Sequence, residues 1–290
     1  MRHYAFISII TPSYNQAAFL EETIQSVIGQ EYPHKEYIVI DGGSSDGSIE
    51  IIRRYSDRLS HWVSEPDRGQ SHAINKGFAL ARGDVLAWLN SDDLYMPGAL
   101  RAIAELFFQH PEVDLIYGDY IYTDVGGKVM RRRHVFSSMS YETLLYHDYL
   151  GQPAVFFRRS LWEKVGCLDE SLHYCMDWDL FLRMWKVSRS RHLPTVLATY
   201  RLHNTAKSNA EDSELYAQEI HKMQQRHVNQ RFSRSWLNHI YHVYYFYLSF
   251  ALRLWTVLRD NPVDYLRTIR HIYPGKRLVR LLWSKLHFPF

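Results

Sequence analysis

Two adjacent carboxylates close the string Asn90-Ser91-Asp92-Asp93, directly after the apolar run at 85–89. Side by side at a strand's end they repel unless a cation is shared. Hard divalent ions such as Mg2+ or Mn2+ take such oxygen ligands, with substrate phosphates completing the shell. The plainer alternative is that Ser91 or Asp92 caps the helix that opens near Pro97. A second acidic string, Met176-Asp177-Trp178-Asp179, opens a helix far downstream. Carboxylates suit a helix's positive end. A carboxylate beside a Trp is also what a general base for a hydroxyl looks like, because partial desolvation lifts its pKa toward usefulness. The run Asp41-Gly42-Gly43-Ser44-Ser45-Asp46-Gly47-Ser48 allows close backbone approach, with Asp41 free to accept from a base or ribose and Asp46 to cap. It is neither a Walker A loop nor a GxGxxG fingerprint, and a plain glycine-rich turn explains it as well. Thr11-Pro12-Ser13-Tyr14-Asn15 offers a ring on which a nucleobase could stack. A helix opening at Gln70, with Arg68 and Lys76 nearby, offers amides to a phosphate. Helix capping and surface solvation account for either one alone.

These strings are held by a regular alternation. β-rich runs at 5–11, 36–41, 59–64 and 85–89 are followed by helical patterns at 17–30, 48–55, 70–81 and 98–108. Four strand–helix units in succession predict a doubly wound, mostly parallel sheet, whose ligands sit outside the carboxyl ends of the strands. Every string above except the one at 176–179 falls at that edge. From 114 the rhythm breaks: two strands are expected around the turn 124–128, another at 154–157 and a helix at 177–186. From 211 the pattern is almost wholly helical, with Pro262 and Pro274 as breaks.

Composition sets the outer bounds. In 290 residues, 46% hydrophobic and 22% charged content excludes a disordered chain. Cys167 and Cys175 have no zinc-type spacing, and so few cysteines fit a reducing compartment, which makes the cytoplasm the expectation. Aromatic content of 15% suggests stacking surfaces or an interfacial belt. The net charge of +3 is uneven: residues 211–290 carry 12 Lys/Arg against 6 Asp/Glu, so the body is acidic and the tail basic. That argues against a nucleic-acid-binding core and for a tail that meets an anionic surface. The opening apolar run is too short for a signal peptide's core, and no stretch reaches 18 uncharged apolar residues.

As an ordered set, TPSYNQ at 11–16, DGGSSDGS at 41–48, EPDRGQSHAINKGFALARGD at 65–84, NSDD at 90–93 and MDWDLFLR at 176–183 resembles the family 2 glycosyltransferases of the GT-A fold. The likeness covers about residues 4–205. It implies an α/β, GT-A-type Rossmann-like sheet in a catalytic domain at 1–209, with a nucleotide-sugar half to about 110 and an acceptor half after it. A helical extension at 210–290 follows. It implies an inverting, metal-dependent, hexosyl-type transferase of polysaccharide biosynthesis that moves a sugar from a nucleotide donor, UDP-sugar favoured, to a hydroxyl of a glycan or lipid-linked acceptor. By position, Tyr14 stacks on the base and Asp41 hydrogen-bonds it, with Thr11 and Pro12 framing the pocket. Asn15, Gly43, Arg68, Gln70, Asn75, Lys76, Asn90 and Ser91 join them on the donor side. Asp92 meets the ribose or sugar, and Asp93 binds Mn2+ or Mg2+ on the diphosphate as an edge carboxylate that supports no core. His203 lies near that metal. Asp177 is the base, with Gln152, Trp178 and Asp179 on the acceptor side. The family's Glu-Asp pair reads Met176-Asp177 here, a departure on the acceptor contact. Two rivals stand beside this reading: a catalytically silent sugar-nucleotide-binding scaffold, and a nucleotidyltransferase, which needs a basic glycine-rich loop that 11–15 does not supply.

In the tail, the polar residues His239, His242, Ser249, Arg253 and Thr256 make one narrow stripe on a helix at 236–258 that is otherwise apolar. Such a helix buries most of its circumference in the catalytic domain, another subunit or a lipid interface. The basic amphipathic stretch at 276–286 fits an inner-membrane surface, which would make the protein peripheral there; a homo-oligomer through the helices is the alternative. On the membrane reading, the intact chain binds anionic vesicles and loses them as salt rises, because screening shortens the reach of Lys276, Arg277, Arg280 and Lys285. Co-sedimentation checks this, and indifference to anionic vesicles at low salt refutes it.

Overall fold

A computed structural model describes residues 4–135, 137, 140–204, 206, 207 and 214–228. Two compact units divide the chain, 1–227 and 228–290. Apart from Val228, the second unit, and with it the stripe at 236–258 and the basic stretch at 276–286, lies outside the described residues.

The first unit opens as the alternation predicts: β1 (Ile7–Ser13), α1 (Ala17–Ile28), β2 (Lys35–Asp41), α2 (Ser48–Arg54), β3 (His61–Ser64), α3 (Gln70–Leu80), β4 (Val85–Trp88). These four strands are parallel, in the order β3-β2-β1-β4. Every residue of β1 and β4 is buried, which is why these strands read as apolar runs rather than as alternations. Helix α3 lies so close to β1 that a Cβ on Gly77 would come within 2.5 Å of the Ile10 side chain, so the glycine sets the depth of the helix on the sheet.

Beyond β4 the sheet turns mixed. A two-residue β5 (Leu94–Tyr95) precedes α4 (Ala99–Gln109), β6 (Leu115–Thr123) and β7 (Val129–Arg133). There follow α5 (Tyr141–Tyr146), β8 (Val155–Arg158), α6 (Arg159–Val165), α7 (Met176–Trp185), β9 (Ser190–Arg201) and α8 (Glu214–His227). The sheet continues β4-β8-β6-β9-β5, with β7 on β6 and only the β6–β9 pair parallel in this half. The expected strand and helix at 154–157 and 177–186 are β8 and α7. The twelve-residue β9 was not expected: its first half carries Pro194 and no alternation, and its pairing with β6 shifts register twice.

Part of the aromatic load is core: Trp88 sits among Phe78, Phe157 and Phe181 with ring centroids 5.8–6.4 Å apart. The first compact unit ends at 227 with α8, which buries Glu219, Met223 and His227 along one face.

Asp119 of β6 pins the mixed half. It is almost fully buried and accepts from the Val135 N–H at 3.0 Å, His192 at 3.0 Å and His134 at 2.8 Å. Burial alone would raise its pKa, but these bonds outweigh it and hold the carboxyl at about 2. Removing one partner of such a buried cluster is costly, so Asp119→Ala should lower unfolding free energy by about 3 kcal/mol in denaturant titrations. A depressed carboxyl stabilises above its unfolded pKa of about 4 and loses that contribution as pH falls toward 2. The variant's deficit should therefore shrink over that window.

Candidate active site

The carboxyl ends of β1, β2 and β4 and the start of α7 surround a cavity of about 700 Å3, room enough for a nucleotide sugar. Of the residues singled out from sequence, Pro12, Tyr14, Gln70, Asn90, Ser91, Asp92, Asp93, Gln152 and Asp177 line it.

Its floor is built after β4. Asp93 is not an edge carboxylate without structural work: it is 2% exposed, and its Oδ1 accepts the Arg201 N–H at 2.9 Å. Burial and the neighbouring Asp92 push its pKa well up, and the Arg201 amide and guanidinium only partly offset them. Asp92 Oδ2 accepts from His203 Nε2 at 2.9 Å, and the His203 ring packs on Phe19. Arg201 spans the floor, donating to the Asp92 carbonyl at 2.9 Å, the Val125 carbonyl at 3.0 Å and Glu22 at 2.5 Å. Gln70 Nε2 donates to Asn90 Oδ1 at 2.8 Å, tying the start of α3 to the same loop.

On the β1–β2 side, Tyr14 is 62% exposed beside the cavity. The loop that carries it is fixed from behind. Asn15 takes a left-handed conformation, φ 52°, its N–H donating to Ser44 Oγ and its Oδ1 accepting from the Ser45 N–H. Asp41 is fully buried and turned onto its own loop, accepting from the Gly43 and Ser44 amides and from the Ser44 and Ser64 hydroxyls at 2.5–3.1 Å. Thr11 accepts from Tyr37 at 2.9 Å. Thr11, Asn15, Asp41 and Gly43 thus shape the wall without lining it, whereas a direct contact of Asp41 with a base was expected.

The expected cationic side also differs. Arg68 pairs with Glu170 at 2.7 Å, Lys76 pairs with Glu65, and Asn75 bonds both the N–H and the carbonyl of Leu168. None of the three lines the cavity. Two cations that sequence reasoning missed do line it, Arg201 from the floor and Lys207. Lys207 is the harder to find. It stands in a stretch without periodicity, and its place four residues after His203 is the only signal it gives.

The opposite wall is the start of α7. Asp177 lines the cavity, and its Oδ1 accepts the Trp178 N–H at 2.8 Å, which orients the carboxylate. The residue is half-buried where it lines the cavity. Burial raises its pKa, and the Trp178 amide and Lys207 only partly counter that. Gln152 donates through Nε2 to the Trp88 carbonyl at 2.8 Å, and its Oε1 is buried with no partner among the described residues. Trp178 and Asp179 depart from expectation. Trp178 donates to the Leu144 carbonyl at 2.6 Å, and Asp179 pairs with Arg183 and His227 in a separate recess. The helix turns both away from the cavity that Asp177 faces.

The family model Glycosyl transferase family 2 matches residues 8–164, more than half of the chain. An uncharacterized glycosyltransferase of Rickettsia typhi is 30% identical over 210 residues, which are 70% of this chain and 66% of the relative, so the chain spans just under two thirds of that protein. Among solved structures, S. aureus TarS 1–349 in complex with UDP-GlcNAc superposes with a TM-score of 0.59 at 17% identity, over 80% of this chain and 74% of that one. A Pyrobaculum calidifontis mannosyltransferase in complex with GDP-Man and Mn2+ gives 0.56 at 20% identity, over 76% and 63%. At such identities these two show a shared GT-A-type fold. The motif order read from the sequence, the sheet that carries it and a family match over residues 8–164 agree, and the chain belongs to glycosyl transferase family 2.

Proposed function

We propose that this protein transfers a sugar from a nucleoside diphosphate donor to an acceptor hydroxyl with inversion, Asp177 acting as the general base. The observation that carries the reading is that Asp177 and the Asp92–Asp93 pair line one cavity.

A divalent ion suits the floor. Asp92 and Asp93 offer hard oxygen ligands, His203 stands on Asp92, and a buried carboxyl pushed up by its neighbour's charge is relieved by a cation. Among the described residues no three His, Cys, Asp or Glu side chains are grouped to hold a metal ion. Asp92 and Asp93 are the residues that would hold one, with His203 acting through its bond to Asp92, and the ion would neutralise charge on the departing nucleoside diphosphate. Lys207 adds a positive charge on the same cavity. The Asp177 carboxylate takes the proton of the acceptor hydroxyl as that oxygen attacks the anomeric carbon. The bond to the diphosphate breaks on the opposite face, and the configuration inverts. The exposed Tyr14 ring is the stacking surface for the base. The solved neighbours carry UDP-GlcNAc and GDP-Man, which supports a nucleotide sugar as donor class. Among the described residues no helix is long and apolar enough to cross a membrane.

A thermal-shift screen of UDP- and GDP-sugars with and without Mn2+ tests the donor, because a ligand that binds only the folded state raises its apparent stability. In Asp93→Asn the amide oxygen still accepts the Arg201 N–H while the charge is lost. The metal-dependent part of that shift should vanish with the fold intact, and an unchanged Mn2+ effect rejects the metal assignment. Asp177→Asn should keep nucleotide affinity and lose about 10² to 10⁴ in turnover. Because burial raises the Asp177 pKa, turnover should fall on acidification from a point above the ordinary carboxylate value of about 4. An acid limb at or below that value, or an unchanged limb in Asp177→Asn, places the base elsewhere.

A further inference from the structure

The start of α7 lacks the group that normally orders a helix N-terminus. Its N-cap is Cys175, which has no side-chain oxygen and makes no capping hydrogen bond. A carboxylate from another helix stands there instead. Glu219 of α8 accepts the N–H of His173 at 2.7 Å through Oε1, and through Oε2 the N–H of Tyr174 at 2.7 Å and of Cys175 at 3.2 Å. Three consecutive amides converge on one side chain that is 7% exposed. One turn earlier on the same face, Tyr216 meets the Tyr174 ring edge-on at 6.0 Å, and Lys207 donates to the His173 carbonyl at 3.3 Å. His173, Tyr174, Met176 and Asp177 all line the cavity, so the gripped segment is its wall.

We propose that Glu219 is the positioning residue for the Asp177 base, clamping residues 173–175 so that the first turn of α7 presents its carboxylate to the acceptor hydroxyl. The proposal rests on Asp177 being the base. Glu219 acts through backbone amides two to four residues before Asp177 and touches no reacting atom. A carboxylate suits this task because it is acceptor-only, with lone pairs enough for three donors, whereas a Gln would turn an NH2 group toward one or two of them. The helix's positive end favours the same charge. Loss of the clamp leaves the floor at Asp92, Asp93 and Arg201 intact, since that floor belongs to β4 and β9. Its effect therefore falls on turnover and not on donor binding.

The test uses the full chain with Glu219→Gln, Glu219→Ala and, as a control on the same helix, the exposed Glu214→Gln. Calorimetry with UDP and GDP in Mn2+ should give affinities within about two-fold of the parent. Turnover of UDP-GlcNAc or GDP-mannose, read as nucleotide release, should fall in kcat with KM nearly unchanged. A misplacement on the order of 1 Å typically costs about 10²-fold. The acid limb should move to lower pH, because a loosened segment lets water reach the Asp177 carboxyl that burial had raised. Parent-like kcat and acid limb in both Glu219 variants overturn the proposal, and so does a parallel loss of nucleotide affinity, which would mark general damage. Should both variants fail to fold, hydrogen exchange on the parent decides. The amides of 173–175 must then be strongly protected and lose protection on opening of α8, and exchange at free-loop rates ends the proposal. Turnover that survives in Asp177→Asn rejects the base assignment instead, while protection at 173–175 would remain.

Discussion

A carboxylate held out of water must be answered by charge or hydrogen bonds, and at the end of β4 that requirement organises both halves of the sheet. Asp93 is buried with Asp92 beside it, and the answer comes from the far end of the chain: the Arg201 amide on Asp93, its guanidinium on the Asp92 carbonyl, and His203 on Asp92. Arg201, itself 3% exposed, then reaches Glu22 of α1 and the turn between β6 and β7. The compensation is incomplete, and burial with Asp92 alongside keeps the Asp93 pKa raised.

The wall opposite solves a different problem. As the proposed base, Asp177 needs to be dry enough to be basic and open enough to be reached. The helix start meets both demands by burying the carboxyl's surroundings while the residue borders the cavity. Its neighbours Trp178 and Asp179 serve the rear face, one fastened to α5 and the other to α8. Two acidic residues in one turn thus do separate work, because a helix sends side chains two apart to different sides.

The parallel half could be read from sequence because β1, β2 and β4 are buried on both faces and so appear as largely apolar runs between turn-forming strings. The mixed half was harder. β9 pairs with β6 around two register shifts and a proline, which erase the alternation that marks a strand. Within the site, Asp92, Asp93 and Asp177 stood out because charge at a strand or helix end is costly and visible. Asp41 stood out for the same reason, but its four internal donors show that a conspicuous acid can be spent on a loop. Glu219 gave no sign, since its partners are backbone amides, and a backbone amide has no letter in the sequence. Sheet similarity to proteins that carry UDP-GlcNAc and GDP-Man is likewise a statement about scaffold, with donor choice left to side chains.

The Arg201 bridge also bears on how the molecule is made. Its partners Asp92 and Asp93 leave the ribosome about 110 residues before it. Until β9 docks, the emerging parallel half carries two neighbouring carboxylates without their counter-charge and a β4 edge still waiting for β8. Contacts of such long sequence separation form late and slow folding. During synthesis the parallel and mixed parts of the sheet therefore complete each other, and the first has no finished floor until the second arrives.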